Sequence, residues 1–261
     1  MRTTTFMQRG AGTVLMSALV VAVTACGGGG GSSGGGGTGG TGGGDGGGGG
    51  GPGAGGISCF AIPADTPGVS YGRNEDKMGW KSQPTRAVIL EDARIPVEHR
   101  IGDEGQGFKI AMAGLDGGRI NIASCSLGAA SAALAQAQSY VQERRQFDQP
   151  VSEFQSVQFT LADMATHLVA AQQMVRLAAW KLDHGDADKG TFCAMAKRLA
   201  TDLCFDVCNQ ALQLHGGYGY IKEYPLERYV RDSRVHQILE GTNEIMRVII
   251  ARRVLKDLSF L

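Results

Sequence analysis

Residues Phe192 to Gly219 read F-C-A-M-A-K-R-L-A-T-D-L-C-F-D-V-C-N-Q-A-L-Q-L-H-G-G-Y-G. Phe192, Met195, Leu199, Leu203 and Val207 recur at spacings of 3, 4, 4 and 4, which draws one apolar stripe along a helix. His215-Gly-Gly-Tyr-Gly219 then stops it with glycine. The spacing predicts a helix over about 192–214, and the same reading extends to both sides. Upstream, helices are predicted over about 108–145 and 154–184, the second ended by the turn His184-Gly-Asp-Ala-Asp188. Downstream, a fourth starts at Thr242, a suitable N-cap, and runs to Leu258. Four long helices joined by short turns predict a mainly α chain built as an antiparallel four-helix bundle over residues 104–261. Most of its Leu, Met and Ala positions are core.

Before the bundle the texture is different. Ile57-Ser-Cys-Phe-Ala-Ile-Pro63, Gly68-Val-Ser-Tyr-Gly72 and Thr85-Arg-Ala-Val-Ile-Leu-Glu-Asp92 are short β-rich runs punctuated by Pro63, Pro67, Pro84 and Pro96. Residues 57–103 therefore read as a partial β-domain fragment, too small for a full sheet core. Residues 27–56 are almost all glycine, which accounts for most of the excess in a chain with 41 glycines among 261 residues. Such a run has no side chains to bury and loses the most backbone entropy on ordering, so it reads as a disordered tether. Residues 1–26 carry Arg2 and Arg9, then an apolar stretch from Ala11 to Ala25 that is short for a membrane span. This reads as an export signal. Val23-Thr-Ala-Cys26 resembles a bacterial lipobox, which implies lipidation at Cys26 and a membrane tether.

Lys+Arg and Asp+Glu are both 25, so the net charge is zero and nothing points to nucleic acid. The six cysteines form no CxxC pair and read as small buried apolar residues, with no metal site. Two local features stand out. Gly114-Leu-Asp-Gly-Gly-Arg119 places adjacent glycines inside a predicted helix, each costing about 1 kcal/mol against alanine. Either the helix kinks or crosses another tightly there, or a ligand lies over Gly117 and Gly118 with Arg119 nearby. In His236-Gln-Ile-Leu-Glu-Gly-Thr-Asn-Glu244, Glu240 follows Ile238 and Leu239 on a Gly-Thr turn. A solvated capping acid would fit there, and so would a base kept dry enough to take a proton from carbon.

Six segments decide between them. Gly102-Asp-Glu-Gly-Gln-Gly-Phe108, Glu143-Arg-Arg-Gln-Phe147, Gln158-Phe-Thr-Leu-Ala-Asp-Met-Ala165, Ala211-Leu-Gln-Leu-His-Gly-Gly-Tyr-Gly-Tyr220, Val230-Arg-Asp-Ser-Arg234 and Ile238-Leu-Glu-Gly-Thr-Asn-Glu244 together resemble the acyl-CoA dehydrogenase family, in family order. Trp80-Lys-Ser-Gln-Pro-Thr-Arg-Ala-Val88 and Gly117-Gly-Arg-Ile-Asn-Ile-Ala-Ser-Cys-Ser-Leu-Gly128 resemble its isobutyryl-CoA branch. The resemblance implies FAD-dependent α,β-dehydrogenation of a short branched acyl-CoA, with electron-transferring flavoprotein as acceptor and a dimer or tetramer as the working form. It makes Glu240 the base that removes the α-proton; pressed against Ile238, Leu239 and an acyl chain, a desolvated carboxylate is the stronger base. Some relatives carry their base at the position of Gly118, where this chain has no side chain. For FAD the resemblance implies Arg144, Phe147, Gln155, Gln213, Leu214, His215, Gly216, Gly217, Thr242, Asn243 and Glu244. For the acyl-CoA it implies Asp116, Gly117, Gly118, Arg119 and Arg252. Read on their own, the histidines form no triad and are packing residues.

The family pattern has an N-terminal helical domain and a complete middle β domain, and only the end of the latter and the bundle are matched here. The enzyme resemblance implies the cytoplasm, whereas the N-terminus implies export and lipid anchoring. Two alternatives thus stay open: a lipid-anchored, non-catalytic helical module, or a partial subunit that completes a paralogue's site. The bundle face that would meet the unmatched domains is expected to be apolar and aggregation-prone.

Overall fold

The structure is a computed structural model that describes residues 19–22 and 53–260. Cys26, read above as lipobox-like, and residues 27–52 of the glycine-rich run lie outside the described residues. The described chain divides into two compact units, one of residues 19–22, 53–73 and 86–111, the other of residues 74–85 and 112–260.

In the first unit the three expected β runs are strands: β2 (Cys59–Ile62), β3 (Val69–Tyr71) and β4 (Val88–Leu90). β3 and β4 pair antiparallel, Val69 opposite Leu90. β2 lies between β1 (Leu19–Ala22) and β5 (Arg100–Ile101), antiparallel to both. Cys59 and Ile62 are its buried residues. β1 falls inside the stretch read as an export signal, and Gly53–Gly56, read as part of the tether, is a 3₁₀ turn.

The second unit holds the bundle. Its long helices are α1 (Gly107–Glu143, which begins in the first unit's sequence range), α2 (Gln155–Asp183), α3 (Lys189–His215) and α6 (Asn243–Lys256). The predicted ends are displaced by no more than a few residues. The short α4 (Gly217–Tyr220) and α5 (Leu226–Arg234) lie between α3 and α6 and were not foreseen as helices. Between α1 and α2, β6 (Arg145–Gln146) and β7 (Gln149–Pro150) form a small hairpin. Residues 74–85 belong with the helices rather than with the β fragment, because the Trp80 N–H donates to Asp232 and Arg231 donates to the Met78 carbonyl.

The core is made by small residues at helical spacing. On α1 the buried line is Ala123, Ser126, Ala130, Ala133, Ala137 and Val141; on α2 it is Met164, Leu168, Ala171, Val175 and Ala178. α3 is the central helix, against which α2, α5 and α6 pack. Here the expected stripe is corrected. Met195, Leu199 and Leu203 are only partly buried, and the deep line runs through Cys193, Lys197, Ala200, Cys204, Cys208, Ala211 and His215. Alanine and cysteine at the contact let helices approach closely, so the larger Leu and Met side chains fill the flanks. Burial holds the Cys204 and Cys208 thiols well above their usual range, at about 12, as expected of packing cysteines.

Candidate functional site

The residues singled out by sequence gather in two regions of the second unit. The first is the turn between α5 and α6. Val235–Gln237 forms a 3₁₀ turn after α5, and Ile238 follows it half exposed. Glu240 then adopts φ +58° and Gly241 φ +90°. Left-handed backbone at a glutamate is sparsely populated and persists only where its surroundings hold it. Its side chain lies on α1: a Cβ built on Gly118 would come 2.8 Å from the Glu240 carboxyl carbon, closer than atoms pack. Gly118 is therefore glycine because the carboxylate occupies the space of its side chain. Gly117, by contrast, faces open space, so no packing within the described chain accounts for it. Among the described residues the Glu240 backbone N–H has no hydrogen-bond acceptor.

Three interactions fix the turn from behind. Thr242 is the N-cap of α6, its hydroxyl accepting from the Ile245 N–H at 3.4 Å. Asn243 is buried; its amide donates to Thr201 Oγ1 at 2.9 Å and to Asp202 Oδ1 at 2.7 Å. Lys197, wholly buried, donates to the Gly241 carbonyl and to Asn243 Oδ1, each at 2.8 Å. Burial pushes the Lys197 ammonium down to about 8. On α1, Arg119 donates to Asp116 Oδ1 at 2.7 Å, and the Arg119 Nε is buried without a partner. Above the turn, His236 is buried, 2.8 Å from Ser126 Oγ through Nδ1 and edge-on to Trp80. Burial lowers its pKa.

The second region is a cleft of about 750 Å³ lined by Tyr140, Arg144, Phe147, Phe154, Gln213–Gly217 and Tyr218, among others. Phe147 is 86% exposed and, with Asp148, sits at positive φ at the tip of the β6–β7 hairpin. Two such residues give the twist of a tight hairpin turn, at a cost that Asn-Gly would avoid. Gly216 ends α3 at φ +56°, and a side chain there or at Gly217 would meet nothing within 4 Å. His215 stacks on Tyr140 with ring centres 4.3 Å apart. Its Nδ1 must carry the proton, since it is 2.8 Å from the Ala211 carbonyl, which only accepts. The buried Nε2 has no partner among the described residues. Burial is the main influence raising the Tyr140 phenol.

Of the eleven residues assigned to a cofactor, Arg144, Phe147 and Gln213–Gly217 come together in this cleft. Gln155 stands between the lining residues Phe154 and Ser156 without lining the cleft itself. Thr242, Asn243 and Glu244 do not reach it. Every hydrogen-bonding group of the Asn243 amide is taken by the protein, which gives this side chain a structural role in the turn. Glu244 is exposed and pairs with Arg247 at 3.6 Å. Of the substrate residues, Gly118 meets Glu240, Asp116 and Arg119 pair with each other, and Arg252 is exposed on α6. Reasoning from sequence missed Lys197, although a lysine in a helix line of Cys and Ala was a visible signal, and it missed Tyr140 and Tyr218.

The model for the acyl-CoA dehydrogenase C-terminal domain matches residues 105–255. The chain belongs to the acyl-CoA dehydrogenase family, whose members are oxidoreductases and FAD-dependent flavoproteins. It is 59% identical over 206 residues to a mitochondrial isobutyryl-CoA dehydrogenase of Bos taurus, covering 79% of this chain and 50% of the relative. It is 44% identical over 205 residues to the caffeyl-CoA reductase–Etf complex subunit CarC of Acetobacterium woodii, covering 78% of this chain and 54% of that subunit. The butyryl-CoA dehydrogenase structure from Megasphaera elsdenii superposes with a TM-score of 0.76 at 44% identity, over 78% of this chain and 53% of that one. The chain thus spans about half the length of the curated relatives it matches.

Proposed function

We propose that this chain carries the base-bearing half of an FAD-dependent acyl-CoA dehydrogenase acting on a short branched acyl-CoA such as isobutyryl-CoA. The observation that carries the reading is the seat of Glu240: a carboxylate on a left-handed turn, resting on the bare backbone of Gly118 beside half-exposed Ile238. The isobutyryl class is taken from the relative of that name.

In this reading Glu240 removes the α-proton of the thioester. The open helix surface at Gly117 accepts the ligand, and the unpartnered Glu240 N–H donates to the thioester oxygen as negative charge grows there. The chemistry FAD would supply when bound is that of a hydride acceptor for the β-carbon, which balances the proton taken by Glu240 and leaves an α–β double bond. The second cleft fits part of that cofactor: an unpartnered imidazole nitrogen at His215, Arg144 for a pyrophosphate, and the open glycines Gly216 and Gly217. The same α1 carries Gly118 and Tyr140, 22 residues apart, or about 33 Å at 1.5 Å per residue. A separation the size of a small domain supports an oligomer in which one chain's base and the same chain's cleft serve different cofactors. The kinship with an Etf-complex subunit supports electron-transferring flavoprotein as the acceptor.

The test is the visible absorbance of the purified chain loaded with FAD, before and after isobutyryl-CoA. Flavin absorbance that bleaches in the wild type and persists in Glu240→Gln is expected. A protein that stays colourless with added FAD, or a Glu240→Gln variant that bleaches at the wild-type rate, would overturn the reading.

A further inference from the structure

Lys197 is 0% exposed, at the centre of a helix line otherwise made of cysteine, alanine and His215. Lysine is among the side chains least often fully buried, and an ammonium without water needs compensation. Here both its hydrogen-bond acceptors are neutral: the Gly241 carbonyl and the Asn243 amide oxygen. Asp202 on α3, Glu244 on α6 and Glu240 on the turn favour its charge without touching it, and Arg119 on α1 opposes it. With no carboxylate in contact, such a site repays little of the cost of taking a cation out of water, so packing alone does not account for a lysine there. What the lysine does hold is specific. Both acceptors lie within three residues after Glu240, and one belongs to Gly241, the second of two successive left-handed residues.

We infer that Lys197 is a positioning residue: it clamps the Gly241–Asn243 turn from inside the bundle and thereby keeps the Glu240 carboxylate seated on Gly118. The inference rests on the reading of Glu240 as the base, but the clamp itself is a property of the fold and can be tested without turnover. Because burial lowers Lys197 to about 8, the charge of the clamp is lost as pH rises through that value.

The experiment is amide hydrogen exchange on the full chain, wild type against Lys197→Met, followed in the peptide covering residues 238–246. Protection there is expected to fall by about tenfold or more, while peptides of α2 and the rest of α3 stay within about twofold. Unchanged protection at 238–246 would overturn the proposal, and so would a loss spread over the whole bundle, which marks a general packing role. In FAD-loaded protein the same variant slows bleaching by isobutyryl-CoA about 100-fold with its apparent KM held within about threefold. A wild type that never bleaches would sink the dehydrogenase reading and leave the exchange result standing on its own.

Discussion

Gly117 and Gly118 are neighbours in sequence with opposite explanations. Gly118 has its side-chain space filled by the Glu240 carboxylate, while Gly117 looks onto open space. Gly118→Ala is therefore expected to unseat Glu240 and slow flavin bleaching by isobutyryl-CoA about 100-fold, since small misplacements of a base are costly. Gly117→Ala adds a methyl group where the protein has nothing, and removes a flexible residue from a helix interior. Its urea unfolding free energy should rise by about 0.5–1 kcal/mol. If its bleaching rate also falls, a ligand occupies that surface; an unchanged rate places the ligand elsewhere. From the sequence the two glycines were a single oddity. Which of them belongs to the base is set by a contact between residues 122 positions apart.

Among the elements, α3 decides where the site is. It ends in the cleft at His215 and Gly216, and at its middle it presents Lys197 and Thr201 to the start of α6. The 3₁₀ turn before Glu240 is tied to α1 through His236 and Ser126. His236 faces Ser126 on α1, Trp80 on the 74–85 segment, Asp232 on α5 and Lys197 on α3; Asp232 favours its charged form and Lys197 opposes it, and burial outweighs both. Its folded pKa is below the unfolded value of about 6.5, so the unfolded chain takes up a proton that the folded one refuses. Stability from this group is present above about 6.5 and is lost as pH falls towards the folded value. Urea midpoints measured across about pH 5 to 8 should therefore drop on the acid side in the wild type and drop less in His236→Asn. Equal acid slopes would place the loss on other groups.

For the whole molecule, the apolar surface of α2 is the feature that calls for a partner. Phe159, Val169, Leu177 and Trp180 are all more than two-fifths exposed. At 3.6 residues per turn they fall within an arc of about 80° on one side of the helix. A soluble monomer rarely leaves such a stripe uncovered. Light scattering on the purified chain is expected to show self-association. Phe159→Glu combined with Leu177→Glu should shift the population to smaller species, and a sharp monomer peak in the wild type would count against the stripe as an associating surface.

The four long helices, their ends to within a few residues and the line of family motifs were determined by the sequence alone, because hydrophobic period, capping residues and glycine stops are local properties of the chain. That Arg144, Phe147 and Gln213–Gly217 line one cleft was legible for the same reason, since Gln213–Gly217 are contiguous and Arg144 and Phe147 sit in one short motif. Three matters were decided only in three dimensions. The deep face of α3 follows from which helices surround it, so the Leu and Met stripe moved to the flank. The Asn243 amide is committed to Thr201 and Asp202, which stand on another helix. The seat of Glu240 depends on Gly118 and Lys197, distant in sequence and brought beneath one turn by packing, and no periodicity within a single segment records a contact of that range.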